Sequence, residues 1–240
     1  MEKVDAQKFK ILSGSVLKLI AVITMTVDHI AVAFAPWLQA VDIPLIDFPV
    51  LDHPLTLYWL LRLIGRMSFP IFCFLIGEGL RHTRDQRKYG LRLLIFAILS
   101  EIPFDLLYGK WFDLGMQNVY FTLFLGFLMI YAFENIQGNL KKYTVMLAVA
   151  AVSVFLKASY ELNGVLLVFL LYLLRERPVA QAILAYPLLN IGPAAMVSFV
   201  PINLYNGKRG FIKGPVLKFL FYAFYPLHLL ILAGIRYLLT

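Results

Sequence analysis

The chain has 240 residues, of which 61% are hydrophobic and only 15% charged, and its mean hydropathy is +0.78. Soluble domains run nearer half apolar and a quarter charged, and here apolar runs recur along the whole chain. A soluble domain is therefore excluded and a multi-pass membrane protein is expected. The formal net charge of +8 does not point to nucleic acid, because Lys and Arg flank the apolar runs and there is no zinc spacing, Gly-rich phosphate loop or basic–aromatic stripe.

In chain order, the opening "MEKVDAQKFKILSGS" is polar for too long and lacks a small-residue cleavage site. No signal peptide is expected, and the first span, residues 15–36, is read as retained. A stretch with Asp42, Asp47 and Asp52 and no Lys or Arg follows. Span 2 covers 57–80 and leads into the strongly basic "RHTRDQRKYGLR"; spans 3 to 6 cover 88–107, 118–134, 143–157 and 163–174. An apolar stretch, 179–204, is broken by Pro187, Gly192 and Pro193, and a last span covers 217–239. Cys73 is the lone cysteine, so no internal disulfide can form and a packing role is expected.

The Lys/Arg bias sets the orientation. Lys3, Lys8 and Lys10 put the N-terminus inside, as do Arg81, Arg84, Arg87 and Lys88 for the loop after span 2. If 179–204 crosses once, Lys208, Arg209, Lys213 and Lys218 fall outside. If it crosses twice, as two short helices meeting at Gly192–Pro193, they fall inside, each half being about 18 Å long. Nine short crossings with the C-terminus outside are favoured over eight. The expected fold is all-α: a polytopic helical membrane protein of about eight to nine short transmembrane helices, one integral membrane domain over residues 1–240, in the inner (cytoplasmic) membrane.

Charged residues inside a bilayer are rare and cost several kcal/mol unless paired. Counting 1.5 Å per residue puts His29 about 10 Å from the outer end of span 1, with Asp28 beside it. Span 2 runs back with Arg62 and Arg66 on one face, four residues apart. "SEIPFD" brings Glu101 and Asp105 to the same depth from span 3, and Asn118 opens span 4 there. Adjacent residues on a helix do not face each other, so Asp28 is expected to pair with an arginine of span 2, and His29 to take a carboxylate from elsewhere, with Glu101 the candidate. Lys18 and His29 are eleven residues apart, on one face and about 16 Å apart along the axis. A phosphate held at the inner mouth by Lys18 can carry a flexible arm, such as pantetheine, up to His29.

The blocks "LKLIAVITMTVDHIA", "LRLIGRMSFPIFCFLIGEGLRHTRDQRKY", "LRLLIFAILSEIPFDL", "QNVYFTLFLG", "YNGKRG" and "FYPLHLLIL" resemble the TraX family, in order and over nearly the whole chain. The founding member acetylates the N-terminus of the pilin of a conjugative pilus. The family is related to the transmembrane acyltransferase superfamily, in which a basic residue, ten positions and a catalytic His recur; Lys18 and His29 fit that spacing. The resemblance implies that His29 is the catalytic base and that inner basic residues bind CoA. It does not carry over the acceptor.

The expected activity is therefore transfer of an acetyl group from cytoplasmic acetyl-CoA, the co-substrate, to an amine or hydroxyl outside, with no metal. The acceptor is a pilin N-terminus, a sugar or a small molecule. His29, Glu101, Arg66 and Asp28 are the expected catalytic group, with Arg66 or Asn118 stabilising the oxyanion. Lys18, Arg81, Arg84, Lys88, Lys208 and Arg209 are expected to hold the acyl-CoA, and Arg62, Asp105, Asn118 and His228 to meet the acceptor. His82 is expected in the basic inner loop, and His53 carries no assignment. The alternatives are a proton-coupled transporter relaying protons through Asp28, His29 and Glu101, and a structural subunit whose charges only lock helices.

Overall fold

The computed structural model describes residues 10–41, 44–46, 55–189 and 193–239, and among them the chain is almost entirely helical. Helix α1 (Gly14–Ala33) begins where the Ser13 hydroxyl accepts from the Val16 N–H at 3.4 Å, which satisfies one free donor of the first turn. Its 20 residues give about 30 Å, the width of a bilayer core. Helix α2 (Ala35–Ala40) and a short antiparallel pair, β1 (Pro44–Ile46) with β2 (Leu55–Thr56), lead to α3 (Leu57–Gly65) and α4 (Ser68–Arg81).

Two expected spans are each two helices. Between α3 and α4 the path breaks at Arg66–Met67, because Pro70 has no N–H for the Arg66 carbonyl; the Ser68 hydroxyl donates to the Gly65 carbonyl at 2.8 Å. The 88–107 span splits at Ser100 into α5 (Gln86–Leu99) and α6 (Glu101–Leu107), where Pro103 likewise lacks a donor for the Leu99 carbonyl. Next come α7 (Val119–Asn135), α8 (Asn139–Phe155) and α9 (Glu161–Leu173). The apolar stretch after them is not one helix. Helix α10 (Pro178–Ala185) runs into a 3-10 turn, Tyr186–Leu188, and beyond residues 190–192 a second piece, Pro193–Ser198, continues as α11 (Phe199–Asn203). Helix α12 (Gly214–Leu239) carries Pro226 in its interior, which leaves the Tyr222 carbonyl without its helical donor; the Tyr120 hydroxyl of α7 donates to it at 3.3 Å.

Helix α1 packs against α3, α4 and α12, α7 against α5, α8 and α9, and α6 against α12. Leu17, Ile71, Leu93, Leu171 and Leu229 lie in the shared core, with Cys73 buried among them as expected of a packing residue. Three segments are long and apolar enough to cross a membrane: Gly14–Ala33, Leu57–Arg81 and Gly214–Leu239. The shorter apolar helices, such as Val119–Asn135 and Glu161–Leu173, fall below that length. Of the eight to nine crossings expected, only three have segments among the described residues that are long and apolar enough by length and composition. Lys3, Lys8, Asp42, Asp47, Asp52, His53 and Gly192, on which parts of the orientation reading fell, lie outside the described residues.

Candidate active site

Helices α1 and α12 bring together two histidines 199 positions apart. His29 Nδ1 lies 2.7 Å from His228 Nε2, and His228 Nδ1 lies 2.9 Å from the Phe224 carbonyl. Both rings are buried, 5.0 Å apart between centroids and inclined by 26°, with the Tyr225 ring edge-on to each. The hydrogens follow from the partners. A carbonyl only accepts, so His228 Nδ1 carries the proton. A neutral His228 then offers a lone pair at Nε2, and His29 must donate to it from Nδ1. The remaining nitrogen, His29 Nε2, is left with its lone pair. It can accept a proton without breaking the chain of bonds behind it.

His29 lines a cavity of about 570 Å³. On one wall the Arg62 guanidinium donates to Asp28 Oδ2 at 2.6 Å, with the two side chains 18% and 19% exposed. Gly65 permits this approach, since a Cβ there would overlap the Asp28 side chain. The expected pairing of Asp28 with a span 2 arginine is therefore present. Arg66 lines the same cavity and has no ion pair among the described residues. The opposite wall is residues 157–163, held to the strand-like Gln117 by its N–H on the Lys157 carbonyl at 3.0 Å and its carbonyl under the Ser159 hydroxyl at 2.6 Å. Lys157 (φ 50°) and Glu161 (φ 43°) are non-glycine residues in the left-handed region, each costing on the order of 1–2 kcal/mol. Both line the cavity and both are exposed, so this wall forms its mouth. Nothing in the sequence pattern marked them.

Three expected members of this layer are elsewhere. Glu101 does not reach His29: its Oε2 accepts from the Asn118 amide nitrogen at 2.5 Å and from the Asn118 backbone N–H at 3.3 Å. Asn118 is fully employed. Its side-chain NH₂ also reaches the Ala97 carbonyl at 2.8 Å, and its side-chain oxygen caps α7 by accepting the Tyr120 N–H at 3.0 Å, so no donor is left for an oxyanion. Asp105 accepts the Asp113 N–H at 2.8 Å and shapes the loop before α7. None of the three lines the cavity. The reason is the free N–H groups and positive dipole end of α7, which draw a carboxylate more strongly than a neutral imidazole does. In that loop the Lys110 ammonium and the Gly115 N–H hold the Asp113 carboxyl below its ordinary value.

Toward the N-terminal end of α1 the cavity adjoins a smaller apolar channel of about 60 Å³, with which it shares Met25, Phe72, Val119 and Tyr225. Val22, Leu75, Leu93, Leu123, Phe221 and Tyr222 line the channel. Beyond it the Lys18 ammonium lies 5.0 Å from the Phe221 ring centre. Lys18, Val22, Met25 and His29 therefore mark one face of α1, from cation to channel to cavity. Of the other expected donor-binding residues, Arg81 pairs with Glu78 at 3.1 Å, as His82 does at 3.4 Å. Lys88 pairs with Asp85 at 3.4 Å, and its backbone N–H holds the Asp85 carboxyl below its ordinary value. Arg84, Lys208 and Arg209 are exposed.

These features define an all-helical protein, with helices long and apolar enough to cross a membrane, built around a buried histidine pair at a polar cavity. The chain matches the TraX protein family over residues 13–236 and belongs to it. It is 28% identical to the "Probable fimbrial assembly protein FimC, serogroup H1" of Dichelobacter nodosus, over 92% of this chain and 94% of that one. It is 29% identical to an uncharacterized protein of Rickettsia prowazekii (strain Madrid E), over 50% of this chain and 37% of that one. No solved structure matches.

Proposed function

We propose that this chain is a multi-pass acyltransferase of the cytoplasmic membrane that passes an acetyl group from cytoplasmic acetyl-CoA to an amine or hydroxyl on the far side. The observation that carries the reading is the succession along one face of α1 of a cation, an apolar channel and a polar cavity that His29 lines. It suits a donor with a charged head, a long flexible arm and a reactive tip. The relative named for fimbrial assembly, matched over nearly its whole length, favours a fibre subunit, such as a pilin N-terminus, as acceptor.

In this mechanism His29 Nε2 takes the proton of the acceptor N–H or O–H as its lone pair attacks the thioester carbonyl. Such a base is worth about 10²–10⁴ in rate. The oxyanion of the tetrahedral intermediate is stabilised by the Arg66 cation. Collapse breaks the C–S bond, and the leaving thiolate takes the proton back from His29. His228 holds the His29 ring and its tautomer throughout, and Asp28 neutralises Arg62 beside the site. A proton relay from His29 to Glu101, as the transporter alternative needs, has no direct contact to run through, since Glu101 bonds Asn118.

The test is release of free CoA from acetyl-CoA by purified protein in the presence of short peptides with a free N-terminus. Activity in the wild type and its loss in His29→Ala, with CoA binding retained, are expected. Equal CoA release by both proteins would refute the assignment.

A further inference from the structure

The channel end opposite His29 gathers more cations than the spacing of Lys18 and His29 suggests. Arg92, exposed on α5 beside Leu93, lies close to the Tyr222 side chain at the channel wall. Lys218 stands one turn before Phe221 and Tyr222 on α12, within electrostatic reach of Arg92 and Arg209, and Lys18 is within reach of Arg209 and Lys218. None of the four has an ion pair among the described residues, whereas Arg81 and Lys88 do. Like charges gathered without an acid repel one another, and an anion held among them relieves that repulsion.

The arrangement is also built rather than left to chance. The loop carrying Arg209 is stitched to the start of α1: the Gly14 N–H donates to the Lys208 carbonyl at 2.8 Å, the Ser15 hydroxyl to the Arg209 carbonyl at 3.0 Å, and the Ile212 N–H to Ser15 Oγ at 2.7 Å. Gly210 (φ 86°) lies so close to Ser13 and Ser15 that a Cβ would overlap both, so the loop is pressed onto the helix start. Tyr222 and Phe221 supply the floor.

We propose that Lys18, Arg92, Arg209 and Lys218 form a phosphate-binding site at the mouth of the channel, with Arg92 and Lys218 as its unrecognised half. On the acyl-transfer reading above, on which this assignment of the ligand rests, the phosphates are those of CoA. The other source of the same chemistry is the headgroup of an anionic phospholipid. Guanidinium and ammonium groups make charge-assisted bonds to phosphate, so losing two of them is expected to weaken a phosphate ligand about tenfold or more.

The test uses full-length protein in nanodiscs of phosphatidylcholine, titrated with CoA and with phosphate-free S-acetylpantetheine. Arg92→Gln/Lys218→Gln is compared with the wild type and with Lys141→Gln/Arg177→Gln, which removes the same charge elsewhere. The first variant should weaken CoA about tenfold or more and leave S-acetylpantetheine within about twofold, with the control like the wild type. In a second arm phosphatidylglycerol is added to the nanodiscs. A rise in melting temperature in the wild type that the first variant loses, with no CoA binding in either, makes the ligand a lipid headgroup; the site then stands and the acyl-donor reading falls. Equal CoA binding and equal lipid response in wild type and variant overturn the site while the donor reading survives. A wild type that responds to neither anion overturns both.

Discussion

Two buried polar clusters sit in this protein, one between α1 and α12 and one between α6 and α7, and they use their hydrogen-bonding capacity in opposite ways. In the second, Glu101 and Asn118 exchange bonds with each other, with the Ala97 carbonyl and with the first turn of α7. Asn118 has nothing to spare, and the cluster is a helix cap buried at depth. In the first, a chain of bonds runs from the Phe224 carbonyl through His228 to His29, which lines a cavity and keeps its Nε2 unbonded within that chain. Glu101 also keeps one oxygen, Oε1, without a partner among the described residues, but it is buried and lines no cavity. A buried ionisable residue is thus a functional suspect only when its spare valence belongs to a residue that lines a cavity, as His29 does. Burial is shared by both clusters and does not distinguish them.

The comparison breaks most easily at His29. His29→Ala removes the open end of the chain and no charged partner, so folding and CoA binding should persist while transfer falls about 10²–10⁴-fold. Product formation under saturating donor, alongside a melting curve, reads both. Asp28→Asn should act through stability instead, because Arg62 then stays half-buried without its counter-charge; a loss of about 3 kcal/mol is expected, seen as lower melting temperature and yield. Unchanged melting with abolished transfer would move Asp28 into the chemistry.

Subtler changes sharpen the contrast. His228→Gln takes away the imidazole that fixes the His29 tautomer, and transfer should fall about 10–100-fold, as when the orienting partner of a functional imidazole is lost. The loss belongs in kcat, with acceptor KM and CoA affinity little changed; a loss confined to KM would make His228 an acceptor contact. Glu101→Gln keeps the shape of the α7 cap and removes its charge, so a stability loss of about 1 kcal/mol is expected, with transfer per folded molecule unchanged. Impaired transfer at full stability would return Glu101 to the site. Smallest is Lys157→Gly, which relieves a left-handed side chain at the cavity mouth and should stabilise the fold by about 0.5–1 kcal/mol, read by thermal melting.

Read alone, the sequence showed the family, its apolar helices and the line from Lys18 to His29. Apolar runs long enough to span, basic clusters between them and the eleven-residue step from Lys18 to His29 are one-dimensional facts, and helical periodicity turns them into a face with a cation, a channel and a histidine. The pairing of Asp28 with an arginine was legible for the same reason, since cost in an apolar medium demands a partner and span 2 offered the nearest. Only the tertiary structure decided the azimuths. The rise per residue gives the height of a group and not the direction it faces, so Glu101 turned to α7 at the Ser100 break while His228 came round from the last helix to meet His29. The prolines are visible too, and the carbonyl each leaves free lies four positions before it, but what fills that carbonyl can come from far along the chain, as the Tyr120 hydroxyl reaches the Tyr222 carbonyl 102 positions on.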